Sequence, residues 1–401
     1  MTNRTAVLQN AFADAYAGPG THLVRTPGRV NLIGDHTDYN GLPVMPMAIQ
    51  RDLMLLCRAR SDSTVNIANV DPQFEPRSFQ VSSAIPCYEP GDWGNYAKAA
   101  GQALAQQYTS LRGFDAMVSS NIPIAAGLSS SSALMMACAL MILDLNDVAI
   151  SAPQLMELMA GAEHYVGTRG GGMDQAICIG AQPSSASRID FNPMRITPIP
   201  VPPNWRFVVA SSLVRAEKSG AVREAYNSRT CECKEALGLV AASLGSPEAT
   251  SYTGLMSGVP AEELLEAAEG ALDATLLKRF RHVVTEALRV TMAERAMRGD
   301  DLGDYGRLMS ESHMSLRDDF EVSCQELDRL TEIAMNSRAR GARLSGAGFG
   351  GCIVALCGEQ DVDHLMAALG DEFYSPRELE ADLSDVLFVA EPSQGATVME
   401  V

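Results

Sequence analysis

Positive charge is scarce in this chain: 31 Lys and Arg face 49 Asp and Glu among 401 residues, a net charge of −18. Such a surface repels phosphate backbones and anionic membranes, which excludes a general nucleic-acid or membrane-surface binder. No run of about 18 uninterrupted apolar residues occurs, so no membrane-spanning helix is expected. The first twenty residues lack an apolar core behind a basic start and do not read as a signal peptide. The nine cysteines form no CxxC pair and keep no recurrent spacing with His. They read as reduced thiols of a cytoplasmic protein rather than staples or zinc ligands. Fixed-period repeats and low-complexity tracts are missing too, which excludes solenoids and propellers.

What remains is globular: 46% hydrophobic and 20% charged residues, at a length that suits two or three domains. An apolar, helix-like opening (5–16) precedes THLVRTPGRVNLIG, which reads as a strand entering a loop. DLMLLCRARS and STVNIANV alternate like strands, YAKAAGQALAQQY turns helical, and 114–119 looks extended. SSSSALMMACALMILDL is a helix with apolar residues on nearly every face, which predicts burial on all sides. Proline density across ITPIPVPPNW (196–205) breaks both helix and strand and marks a candidate domain boundary. Residues 230–337 read as helical with one interruption, GDDLGDYG, and the tail returns to strands around a helix near 362–369. Mixed elements in both halves predict α+β or α/β domains packed together.

Four segments carry chemistry. Gly127-Leu128-Ser129-Ser130-Ser131-Ser132-Ala133 sets a small, flexible loop before the apolar helix. Free N–H groups and the positive end of the helix dipole make an anion cradle there, and the hydroxyls add donors or a metal ligand. An ordinary serine N-cap is the competing reading. No Gly-Lys pair occurs, so a nucleotide site would not be a P-loop. Gly346, Gly348 and Gly351 fit GxGxxG, but CIVALC continues as a strand, against a dinucleotide fingerprint. A turn in close approach to another group is the better reading.

The third segment, Gly28 to Gly41, crowds Arg29, Asp35, His36 and Asp38 beside glycines, a donor and acceptor set suited to vicinal hydroxyls. In the fourth, Glu163 to Gln175, three glycines can bring Asp174 to a ligand, with Glu163 as a second carboxylate. One acid could hold Mg²⁺ and the other take a proton; Asp174 capping its helix is the alternative.

Together these segments resemble the galactokinases, within the GHMP small-molecule kinase superfamily. GRVNLIGDHTDYNG is similar to the galactokinase sugar signature, AAGLSSSSAL to the phosphate loop and GARLSGAGFGGC to the C-terminal motif. WGNYAKA, EHYVGTRGGGMDQ, AYNSRTCEC and SHMSLRDDFEVSCQELDRL extend the resemblance in order along nearly the whole chain.

The resemblance implies a two-lobed GHMP kinase fold of mixed sheets, helices in both lobes and the site in the cleft. It implies lobes at 1–200 and 201–401, with the last strand a candidate to return to the first. It assigns Asp174 as base and Arg29 beside the transferring phosphoryl group. Asp35, His36, Asp38, Gly172 and Tyr226 would orient the sugar. Gly127, Leu128, Ser129, Ser130, Ser131 and Ser132, with Gly346 and Gly348, would hold ATP, and Ser131 and Glu163 would hold Mg²⁺. The implied reaction phosphorylates the anomeric hydroxyl of galactose or a close relative, by a monomer. N-acetylgalactosamine and other sugar-1-kinases, and a silent galactose and ATP sensor, share the framework. The chain departs from the family at Asp35, where glutamate is usual, and across 215–220, before Tyr226.

Overall fold

The structure is a computed structural model that describes residues 2–215, 220–379 and 382–401. Residues 216–219 of the departure noted above lie outside the described residues.

The strands are β1 (His22–Ile33), β2 (Met45–Ala59), β3 (Thr64–Asn69), β4 (Arg77–Gln80), β5 (Phe114–Ser120) and β6 (Ser185–Asp190). They continue with β7 (Arg195–Pro200), β8 (Trp205–Ser211), β9 (Gly341–Ser345), β10 (Cys352–Gly358), β11 (Leu387–Ala390) and β12 (Thr397–Glu400). Six form one sheet in the order β12-β1-β2-β5-β3-β4, in which only β3 and β5 pair in parallel. A second, antiparallel sheet runs β11-β8-β10-β9, and β6 and β7 form a separate hairpin. The final strand therefore completes the edge of the first sheet, beside β1.

The helix Ser130–Leu145 is buried on almost every side, as its all-round apolar sequence requires, and it packs on β1, β2 and the helix Gly94–Ala105. β10 is buried at all seven positions, and CIVALC accordingly shows no polar alternation. The helices Gly220–Ser243, Ala274–Arg298, Leu302–Asp318 and Gln325–Asn336 pack into the second core together with residues of β8, β9, β10 and β11.

The proline-rich segment differs from expectation. Residues 195–200 are strand β7, not a break, and Pro198 and Pro200 pair opposite Ser187 and Ser185. Prolines two residues apart put their missing N–H groups on the same edge, which a two-stranded hairpin tolerates. The interruption at GDDLGDYG is also shorter than expected, because Asp301 caps a helix that resumes at Leu302.

Candidate active site

β1 delivers the first charged group. Its register shifts between Pro27 and Arg29, and the Arg29 amide donates to the Leu128 carbonyl at 3.1 Å. A side chain at Gly28 would press on that same oxygen at 3.1 Å. The strand and the serine-rich loop are thereby joined backbone to backbone. From there Arg29 Nε donates to Asp174 Oδ1 at 2.8 Å, and its Nη1 donates to the Gly127 carbonyl. Burial works against the guanidinium charge, but Asp174 and then Asp35 outweigh it and hold the Arg29 pKa above its ordinary value.

Asp174 lies in the first turn of the helix Met173–Gly180, whose N-cap is Gly172 at φ 101°. It therefore does not cap the helix; it faces Arg29 and the hydroxyl of Ser132. Gly171 sits where any Cβ would lie 2.2 Å from the Tyr39 backbone nitrogen, and its amide donates to Asp38 Oδ2 at 3.2 Å. The two loops can approach only because this residue is glycine. Burial, with Asp174 nearby as a second cause, pushes the Asp38 carboxyl up to about 6.

The serine-rich turn enters its helix through Ser129 at φ 62°, and Ser129 makes no side-chain cap. Its hydroxyl is buried without a partner. The Ser132 hydroxyl lies 3.0 Å from Glu163 Oε1 and 3.3 Å from Asp174 Oδ2. Of the four serines, Ser132 is thus the one whose hydroxyl bonds both acids. Successive helical residues point about 100° apart, and here it is the buried face, not the partly exposed one at Ser131, that meets the acids. The Ser131 hydroxyl bonds no described residue.

The glycine turn after β9 is the close approach expected of it, and its counterpart is the serine-rich loop. A Cβ on Gly346 would lie 2.9 Å from the Gly127 carbonyl, and one on Gly351 3.1 Å from that of Ala126. Gly348 backs onto the Val322 carbonyl, 2.3 Å from where its Cβ would stand.

Asp35 is more constrained than a free sugar ligand. Arg343 Nη2 donates to Oδ2, while Asn31 Nδ2 and the Gly346 amide donate to Oδ1 at 2.9 and 3.2 Å. Both ionic partners are almost fully buried. Three of roughly four acceptor positions are occupied, so the shorter side chain serves first as a tie between β1's end and β9. No local pattern marks Arg343, Asn31 or Glu286 as partners of this loop; Glu286 accepts the Gly34 amide at 2.9 Å from 252 residues away.

Arg29, Asp35, His36, Asp38, Glu163, Asp174 and Tyr226 line one cleft, with Gly170–Gln175 and Gly346–Ala347. Tyr226 reaches it despite the divergent segment before it, its ring 5.5 Å from that of His36. Among the described residues no group of three His, Cys, Asp or Glu side chains is placed to hold a metal.

A serine-rich helix entry laid against a glycine turn, with an Arg–Asp pair and a second carboxylate at its mouth, defines a small-molecule kinase of the GHMP type. The GHMP kinase N-terminal domain matches residues 95–182 and the C-terminal domain 293–375. The fold is shared with Methanococcus jannaschii mevalonate kinase at a TM-score of 0.59 and 17% identity, over 94% of this chain and 100% of that one. Within that class, the galactokinase galactose-binding signature matches residues 10–59. A galactokinase of Chloroflexus aurantiacus is 36% identical over 370 residues, 92% of each chain. The crystal structure of Lactococcus lactis galactokinase complexed with galactose superposes at a TM-score of 0.86, with 30% identity over 98% of this chain and 99% of that one. The chain belongs to the galactokinase family.

Proposed function

We propose that this protein transfers the γ-phosphoryl group of ATP to the anomeric C1 hydroxyl of galactose, giving galactose 1-phosphate and ADP. The observation that carries the reading is the convergence of Arg29, Asp174 and Glu163 on one cleft, with the buried Ser132 hydroxyl at a helix N-terminus bonded to both acids. Phosphoryl transfer passes through a loose transition state, so it needs in-line positioning and charge neutralisation more than covalent chemistry. The loop from Gly127 to Ser132 offers amides and hydroxyls to the nucleotide phosphates. Asp174 takes the proton of the sugar hydroxyl, and Arg29 stands between that base and the loop. Asp38, His36 and Tyr226 orient the sugar, with Asp35 and Gly172 closing its cavity.

The residues fit a magnesium ion. A buried Glu163, an open Ser131 hydroxyl and an unpartnered Ser129 hydroxyl supply oxygen donors, and Mg²⁺ commonly takes one or two protein oxygens with the rest from phosphates and water. When bound it would neutralise phosphate charge. A second cavity, lined by Tyr88, Asn95, Tyr96 and Tyr165, adjoins the same Glu163–Val166 turn and suits the nucleotide base by its aromatic walls. Nine free thiols fit the cytoplasm, and among the described residues no helix is long and apolar enough to cross a membrane.

The test is a panel of hexoses with ATP, scored for sugar 1-phosphate by phosphorus NMR. Galactose is expected to react best; reaction of only N-acetylated or uronic sugars would overturn the galactose assignment, and ATP hydrolysis without sugar phosphate would overturn the kinase reading.

A further inference from the structure

His36 has an unusual setting for a side chain in a sugar cavity. It is a non-glycine residue at φ 65°, it is 5% exposed, and its ring is flanked by those of Phe320 at 4.7 Å, Tyr226 at 5.5 Å and Tyr39 at 5.9 Å. Nδ1 lies 3.0 Å from the Tyr39 hydroxyl. Nε2 is buried without a hydrogen-bond partner: the neighbouring Ala347 backbone favours a protonated ring but does not bond that nitrogen. Burial, with His282 as a further cause, lowers the His36 pKa to about 3, so the ring is neutral and carries a single N–H. Burial likewise holds Tyr39 well above the usual phenol range, so it keeps its proton.

A neutral imidazole has one donor and one acceptor, and its partner decides which nitrogen is which. Phenol is the better donor and imidazole nitrogen the better acceptor. The Tyr39 hydroxyl makes no other hydrogen bond to a described residue. With Tyr39 donating to Nδ1, the ring proton resides on Nε2. With the opposite tautomer, Nε2 would be a bare acceptor.

We propose that Tyr39 is a positioning residue that fixes His36 as its Nε2–H tautomer, so that this site reads one sugar oxygen as a hydrogen-bond acceptor. The inference rests on the reading of this cleft as the sugar site. Asp38 and Asp35, as carboxylates, can only accept from hydroxyls, so His36 supplies the opposite polarity. A substituent that accepts but cannot donate, such as fluorine, is tolerated at the His36 position and rejected where a carboxylate reads the hydroxyl.

Nitrogen NMR of the His36 ring in the sugar-free protein, assigned by loss of its signals in His36→Gln, tests the tautomer without depending on activity. Protonated Nε2 is expected in the wild type; protonated Nδ1 would overturn the proposal even if the kinase reading stands. In Tyr39→Phe the expected result is a sugar KM raised about tenfold, the equivalent of one lost hydrogen bond at the upper end. At saturating sugar, kcat should stay within about twofold and the ATP KM should not move. Single-position deoxy and deoxyfluoro galactoses give the second readout. At one position the fluoro sugar should retain kcat/KM within about threefold where the deoxy sugar loses about tenfold, and Tyr39→Phe should erase that gap. An unchanged sugar KM in Tyr39→Phe, or equal losses for deoxy and fluoro sugars at every position, would overturn it.

Discussion

Arg29 Nε and Asp174 Oδ1 are 2.8 Å apart, although 145 residues separate them in sequence. One sits on β1 and the other in the first turn of a helix whose N-cap glycine is left-handed. The guanidinium also grips the Gly127 carbonyl, so one planar group orients the candidate base and the serine-rich loop together. The acid at the centre of the site is thereby held against the place where a phosphoryl group would arrive.

The Arg343–Asp35 pair ties the two lobes together. Arg343 has no solvent exposure and also donates to the Asn31 carbonyl at 2.9 Å and to Ser312 Oγ at 3.2 Å. Arg343→Leu leaves a buried carboxylate and carbonyl unsatisfied and is expected to cost about 3–5 kcal/mol in denaturant unfolding. In Arg343→Leu/Asp35→Leu much of that loss should be recovered, because no lone charge remains.

Asp38 links pH to both stability and binding. Its folded-state pKa of about 6 lies above the ordinary 3.8, so ionisation opposes folding. The penalty is full above pH 6, shrinks as pH falls from 6 towards 3.8, and is gone below that. Asp38→Asn should therefore raise stability by about 1–3 kcal/mol at pH 8, and the advantage should narrow by pH 5 in paired thermal melts. The same variant should bind sugar more weakly. In the wild type, kcat/KM for sugar should fall below pH 6 as the carboxylate is protonated, a limb that Asp38→Asn lacks.

Gly171 is fixed by sterics. Added atoms would strike the Tyr39 nitrogen and the Asp38 backbone carbon, at 2.2 and 2.3 Å. Gly171→Ala is expected to cost about 1–3 kcal/mol and to raise the sugar KM with a smaller effect on the ATP KM, measured by steady-state kinetics. Gly161, with no atom within 4 Å of its Cβ position, is the control substitution and should leave both constants unchanged.

Much of this site was legible in short segments, and the reason is local. The all-round apolar helix after the four serines had to be buried, and glycine clusters signalled backbone contact whose partner turned out to be each other, Gly127 against Gly346. What was not legible depends on packing across the chain. Whether Ser131 or Ser132 faces Glu163 is a matter of helix rotation, which four identical residues cannot encode. The Arg343 tie to Asp35 spans 308 residues, and no spacing rule reaches that far. Strand β7 was misread because proline was weighed as a breaker without knowing that the segment is a hairpin edge.

Comparison of wild type with Asp174→Asn, following galactose 1-phosphate formation at saturating ATP and galactose, tests the central claim most directly. The account predicts a kcat lower by about 10² to 10⁴, with ATP and galactose still bound in equilibrium titrations. A variant that turns over at the wild-type rate would contradict it.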